Sequence, residues 1–270
     1  MQDILSETPL FSALDSEAAQ ALRESMVEQT IKKGDTLFLE GEPGDRLYVL
    51  LEGKMKLSHS SGDGRESVFM VLGPGDMFGE LSLFDPGPRT STAVAVTDST
   101  VLGLSNSRLR PWLNARPEVA HSLLQALANR LRRTNETMSD LVFADVPGRV
   151  AKALLELGEK FGQPTSHGLL VSHDLTQEEL AQLVGASRET VNKALADFAS
   201  RGWIRIETRS VEILDAGRLG IRALKEAYAW LCKKVILHLF VVLEELIACL
   251  DQYFQKRAAN WILKILYNFW

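Results

Sequence analysis

Cysteine is scarce: Cys232 and Cys249 are the only two in 270 residues, and both fall in the last fifty. So few thiols exclude a disulfide-stapled secreted scaffold, and no CxxC or Cys/His cluster has metal-ligand spacing, so no metal is expected. A surplus of positive charge is missing too. Residues 1–220 hold 23 Lys and Arg against 31 Asp and Glu, a net −8, and residues 221–270 hold seven against four, a net +3. The total of −5 excludes a histone-like electrostatic binder, but not a local, sequence-reading surface. No uninterrupted membrane-length apolar run occurs: the most apolar stretch is broken by His238, Glu244 and Glu245 and falls short of the roughly 20 residues of a span. The opening MQDILSETPLF lacks a basic region followed by an apolar core, so a cytoplasmic protein without a signal peptide is expected. Catalytic sets are absent as well. Glu80, His59, His121, His167, His173 and His238 have no catalytic spacing and no Ser or Cys nucleophile motif beside them, so an enzyme is not expected.

What is present begins with glycine. Gly34, Gly41, Gly44, Gly53, Gly62, Gly64, Gly73, Gly75 and Gly79 divide residues 34–105 into short apolar runs. Alternation such as Leu47, Val49 and Leu51 predicts antiparallel strands joined by tight turns, in a barrel or jelly roll. Within it, FGELSLFDPGPRT (78–90) sets Gly79 and Glu80 close to Arg89 and Thr90 across a rigid PGP segment. Backbone N–H groups, a cation and a hydroxyl can receive an anionic phosphate and a sugar hydroxyl. A surface salt bridge between Glu80 and Arg89 accounts for the same residues equally well.

Residues 117–143 follow as one long helix. Ala120, Leu124, Leu127, Leu131, Thr134, Met138 and Leu141 recur at alternating steps of four and three, which marks one face as a seam. The seam suits a parallel homodimer; packing on the β domain is the alternative. Thr134 is its one polar member, with Asn135 beside it and Arg130, Arg132 and Arg133 nearby. A polar spot there either touches a ligand or fixes the register of the pair.

A second helical region opens at DVPGRV (145–150), runs to about Phe161 and gives way to a polar turn through Gly162 to Gly168. Thr176 and Glu179 then form a capping-box pattern for a helix ending near Gly185, and Ser187 can cap the next. Ala181, Gly185, Val191, Ala194, Leu195 and Phe198 place small residues at a helix crossing and larger ones toward a core, the pattern of a helix-turn-helix. Arg188 and Glu189 open its second helix. Arginine can bond bidentately to guanine and a carboxylate can accept from cytosine, while Thr190 and Lys193 can hold a phosphate or a further base. An ordinary charged surface helix is the competing explanation. RGWIRIETRSVEILD (201–215) reads as a hairpin whose Arg201, Arg205 and Arg209 can approach the DNA backbone as a wing.

GEPGDRLYVLLEGKMKL, MFGELSLFDPGPRTS, RLRRTN, DVPGRVAKALLEL and LTQEELAQLVGASRETVNKALADF occur in this order within residues 1–220. Together they resemble the cyclic-AMP receptor and fumarate–nitrate regulator superfamily, most closely its actinobacterial cAMP-receptor-like members. The resemblance implies an α+β chain: a cyclic-nucleotide-binding β-roll (1–116), a dimerisation helix (117–143) and a winged helix-turn-helix (144–220). It implies that Gly79, Glu80, Arg89 and Thr90, with Leu81 beside them, hold the ribose and cyclic phosphate of cAMP. Thr134 and Asn135 would approach adenine from the dimer helices, although the best-known enterobacterial member has serine where Asn135 stands. Ser187, Arg188, Glu189, Thr190, Lys193 and Arg209 would meet DNA, with Lys193 in place of a third reading arginine, so a half-site resembling TGTGA is expected. The absence of cysteine from residues 1–220 speaks against an iron–sulfur oxygen sensor. The expected protein is thus a homodimeric, cAMP-responsive regulator, activator or repressor, on palindromic duplex DNA, with RNA polymerase among its candidate partners. Residues 221–270 lie outside the resemblance and hold three of the five tryptophans. Extra packed helices, an interfacial amphipathic helix and a fused artefact all remain open for them. A nucleotide-binding module that recruits a protein or membrane through this tail is the alternative function.

Overall fold

The computed structural model describes residues 2–223, apart from Glu7, Ala13 and Pro86. Residues 1–223 form one compact unit. The apolar tail that the sequence sets apart, from residue 224 onward, lies outside the described residues.

Two helices, α1 (Gln2–Ser6) and α2 (Ser16–Glu24), precede the strands, and Asp15 caps α2 by accepting from the Ala18 N–H at 2.8 Å. Eight strands follow: β1 (Val27–Ile31), β2 (Thr36–Phe38), β3 (Arg46–Glu52), β4 (Met55–Ser60), β5 (Glu66–Leu72), β6 (Met77–Phe78), β7 (Thr92–Ala95) and β8 (Ser99–Ser105). The short helix α3 (Leu81–Phe84) interrupts them after β6. They build two four-stranded antiparallel sheets, ordered β1-β8-β3-β6 and β2-β7-β4-β5. Buried residues of both sheets, including Phe38, Leu50, Met55, Leu57, Phe78 and Val101, meet in one core. The Phe38, Tyr48 and Phe78 rings stack at 5.6–6.1 Å within it. Gly53 shows why glycine is needed between β3 and β4. Its φ is +89°, and a Cβ there would lie 2.4 Å from the Asp98 carbonyl.

The helices α4 (Asn106–Ala115) and α5 (Pro117–Phe143) leave the sheets, with proline in the first turn of α5, where its missing N–H costs nothing. Only Val119 and Leu123 of α5 are buried, and they join Leu10, Leu22, Leu47 and Leu104 in a core beneath the first sheet. The heptad residues point elsewhere: Leu124, Leu131, Met138 and Leu141 are 50–62% exposed. Ala120 and Leu127 are half-buried, so most of the seam, though not its start, is left uncovered in the single chain.

A third sheet lies among the last helices. These are α6 (Val146–Phe161), α7 (Gln177–Val184) and α8 (Arg188–Ser200), and the sheet is β11-β12-β10-β9. Its strands are β9 (Gly162–Pro164), β10 (Leu169–Val171), β11 (Ile204–Glu207) and β12 (Ser210–Ile213). The stretch 162–168, which reads from sequence as a polar turn, is thus the first half of a hairpin. Gly162 pairs with Val171 and Pro164 with Leu169, because backbone pairing to β10, itself held by β12, recruits residues whose side chains give no strand signal.

This helical region shares its core with the β domain. Val68 and Val71 of β5 and Val96 are buried with Leu154, Leu180, Val191, Leu195 and Phe198. Lysines frame the contact: Lys54 pairs with Asp174, Lys160 with Asp76, and buried Lys56 with Glu66 (3.2 Å) and Glu179 (2.9 Å). His173 is buried here as well, its Nδ1 accepting from the Leu175 N–H at 3.1 Å.

Two outcomes follow. Phe198 is fully buried and stacks on Trp203 at 5.5 Å, so Phe198→Ala should cost about 3–5 kcal/mol in chemical denaturation; a loss under about 1 kcal/mol would contradict this packing. Burial, aided by Lys54 and opposed by Asp174, holds the His173 imidazole below its ordinary value of 6.5. A depressed folded-state pKa stabilises above the unfolded value, so this stabilisation is present above pH 6.5 and is lost as pH falls toward the folded pKa. His173→Gln should flatten that part of the melting-temperature profile, and an unchanged profile would exclude His173 as its cause.

Candidate functional site

The turn after β6 and the segment before β7 build the first site. Arg89 is only 5% exposed and has no ion-pair partner among the described residues. Its Nη1 donates to the Arg46 carbonyl (2.8 Å), the Gly79 carbonyl (2.9 Å) and Ser82 Oγ (3.3 Å). The guanidinium lies 4.3 Å above the Phe38 ring and 5.6 Å from that of Tyr48. Its Nε is buried without a hydrogen-bond partner. Burial pulls the Arg89 pKa down, yet arginine stays charged, so a fixed cation waits here for an anion.

Gly79 makes this seat possible. Its φ is +74°, and a Cβ there would stand 2.8 Å from Arg89 Nη1 and 3.2 Å from the Arg46 carbonyl. Glu80, 2% exposed, does not form the bridge to Arg89 that local spacing allows. Its carboxylate accepts instead from Arg130 Nη1 of α5, at 2.9 and 3.2 Å. A charge so deeply buried requires a partner. That partner lies fifty positions away, beyond what local spacing reveals.

Gly79, Glu80, Leu81, Arg89 and Thr90 line one open cleft, together with Ser82, Ser91, Phe38, Leu57 and Arg130. Thr134 and Asn135 do not line it. Both are exposed on α5, and Thr134 Oγ1 donates to the Arg130 carbonyl of its own helix at 3.0 Å. From sequence, Arg130 is merely one of several basic residues near Thr134. Its distinguishing signal is the lone buried carboxylate opposite it.

The second candidate surface is the start of α8. Thr176 and Glu179 form the full capping box at the start of α7, Gly185 ends that helix at φ +69°, and Ser187 caps α8 by accepting from the Thr190 N–H. Arg188, Glu189 and Lys193 are exposed, with Glu189 and Lys193 paired at 2.7 Å along the helix. Arg209 occupies the hairpin turn at φ +59°, its carbonyl accepting from the Asp174 N–H at 2.9 Å. The other two candidate wing arginines are engaged within the protein: Arg201 with Asp197 at 2.8 Å, and Arg205 with buried Glu212. Of the three, Arg209 alone has no ion pair among the described residues.

Residues 28–116 match the cyclic nucleotide-binding domain, and residues 148–220 match the Crp-like helix-turn-helix domain. Over 223 residues the chain is 53% identical to the CRP-like cAMP-activated global transcriptional regulator of Mycobacterium tuberculosis, covering 83% of this chain and all of that protein. The chain belongs to the CRP/FNR superfamily of transcription regulators. Among other superfamily members, the cyclic AMP receptor protein of Thermus thermophilus is 35% identical, over 78% of this chain and 95% of its own. A solved CRP/FNR-family transcriptional regulator, also from Thermus thermophilus, is 30% identical with a TM-score of 0.63, over 74% of this chain and 100% of its own. The superfamily consists of DNA-binding regulators, not enzymes. Among the described residues no His, Cys, Asp or Glu cluster suits a metal, and no helix is long and apolar enough to cross a membrane.

A cAMP site built on Arg89 predicts that Gly79→Ala lowers cAMP affinity about tenfold or more by pushing Arg89 off its seat. Calorimetric titration of the folded variant checks this, and unchanged affinity would show that Gly79 does not set the Arg89 position.

Proposed function

We propose that this protein is a homodimeric, cAMP-responsive transcription regulator that reads palindromic duplex DNA. The observation that carries the reading is Arg89, a buried cation with no carboxylate partner among the described residues, on the wall of a cavity whose Glu80 is held by the seam helix. Arg89 receives the cyclic phosphate with the Thr90 hydroxyl, and Glu80 accepts from the ribose. Gly79 and Leu81 shape the wall. The two sheets act as the β-roll of a nucleotide domain spanning 1–116, followed by a dimerisation helix (117–143) and a winged helix-turn-helix (144–220).

The homodimer reading is supported by the exposed heptad stripe on α5, a solvation liability in a single chain that a second copy removes. Thr134 stands one turn beyond Arg130, so Thr134 and Asn135 complete the site from the seam side and meet the adenine ring. Two α8 helices, one from each protomer, then enter successive major grooves about 34 Å apart. Arg188 and Glu189 read bases, while Ser187, Thr190, Lys193 and Arg209 meet the backbone or a flanking base. For cAMP to switch the protein it must bind the DNA-competent arrangement more tightly than the other. RNA polymerase is the protein partner such a regulator engages when it activates.

Fluorescence anisotropy at fixed salt, on a labelled TGTGA-type palindrome and a scrambled duplex, tests this with and without cAMP. Specific binding strengthened by cAMP is expected. Specific binding indifferent to cAMP would overturn the switch, and equal binding to both duplexes in every condition would overturn the operator reading.

A further inference from the structure

The first residue of α7 and the first residue of α8 meet through one atom. Gln177 Oε1 accepts from Arg188 Nη2 at 3.2 Å, from Arg188 Nε at 3.4 Å and from Asn192 Nδ2 at 3.2 Å. Three N–H donors converge there, so the carboxamide oxygen, not its nitrogen, faces them. Arg188 and Asn192 are four apart on α8 and share a face, with Gln177 spanning both.

We infer that Gln177 is a specificity-determining positioning residue, which fixes the Arg188 guanidinium so that its terminal edge alone reads a guanine. This rests on the proposed DNA-reading role of α8. Guanidinium has two edges able to make paired hydrogen bonds: Nε with Nη2, and Nη1 with Nη2. Gln177 Oε1 occupies the first. The second is left for guanine O6 and N7, the acceptor pair that a bidentate arginine matches. An unrestrained arginine of this length has many rotamers and loses that freedom on binding. Restraint before binding reduces the loss and disfavours poses in which the same cation merely sits on a phosphate. Such poses add affinity for any sequence and discrimination for none. Asn192 strengthens the arrangement by holding Gln177 from the second turn of α8.

The Gln177 side chain is not needed to cap α7, since Thr176 and Glu179 make that box. Substitution at Gln177 therefore separates positioning from folding. The test measures, with cAMP present, the affinity ratio between the operator and the same duplex with the Arg188-read guanine replaced. A bidentate arginine–guanine pair carries discrimination of roughly 5- to 150-fold. Gln177→Ala should lower the ratio about fivefold, with affinity for scrambled duplex equal or higher as Arg188 gains phosphate poses, while the melting temperature holds. Gln177→Glu keeps an acceptor toward Arg188 and should retain the ratio. In an Arg188→Ala background, Gln177→Ala should change the ratio no further. An additive loss in the double variant would mean that Gln177 contacts DNA by itself, and an unchanged ratio in the single variant would mean that it positions nothing; either overturns the inference. If the unsubstituted protein shows no specific duplex at all, the operator reading fails instead, before any variant is compared.

Discussion

The Glu80–Arg130 pair is the interaction on which the molecule's two halves of logic depend. Glu80 is buried in the cavity wall and Arg130 belongs to the helix that carries the heptad seam. Removing Arg130 leaves the Glu80 charge without compensation in a desolvated place, a loss of about 3–5 kcal/mol in comparable buried pairs, whereas Arg130, part-exposed, loses less when Glu80 is removed. The pair therefore sets the depth at which α5 runs past the cavity mouth. A ligand that hydrogen-bonds Glu80 touches, through one carboxylate, the position of the helix that would join two protomers.

The rest of the cavity depends on a different arrangement. Arg89 has its Nη1 satisfied by carbonyls and a hydroxyl, its plane covered by Phe38, and its Nε left unmet. Neutral donors and acceptors hold the cation in place without cancelling its charge. A carboxylate in that role would have produced a stable salt bridge and a site with no pull on phosphate.

Much of this is legible in the sequence wherever the signal is local. The capping box at Thr176 and Glu179, Gly185 at the left-handed turn and the seven-residue spacing of Leu124, Leu131 and Met138 are rules of a few residues; the first two reappear in the structure, and the three apolar residues lie exposed on one helix. What the sequence conceals is set by distant partners. Arg130 meets Glu80, Arg205 meets Glu212, and the unpromising residues 162–164 become a strand only because β10 pairs with them. Gln177 reads as filler inside a capping box, and only the convergence of Arg188 and Asn192 on its oxygen gives it a distinct place.

Glu179 carries a further consequence. One of its carboxylate oxygens accepts from the Thr176 N–H and hydroxyl, while the other receives Lys56 from β4. The same side chain therefore starts the first helix of the helix-turn-helix and moors it to the β domain. A change at Glu179 alters the helix start and loosens the mooring together, leaving buried Lys56 with Glu66 alone. Glu189 and Lys193 on α8, paired only with each other along the helix, carry no such double duty.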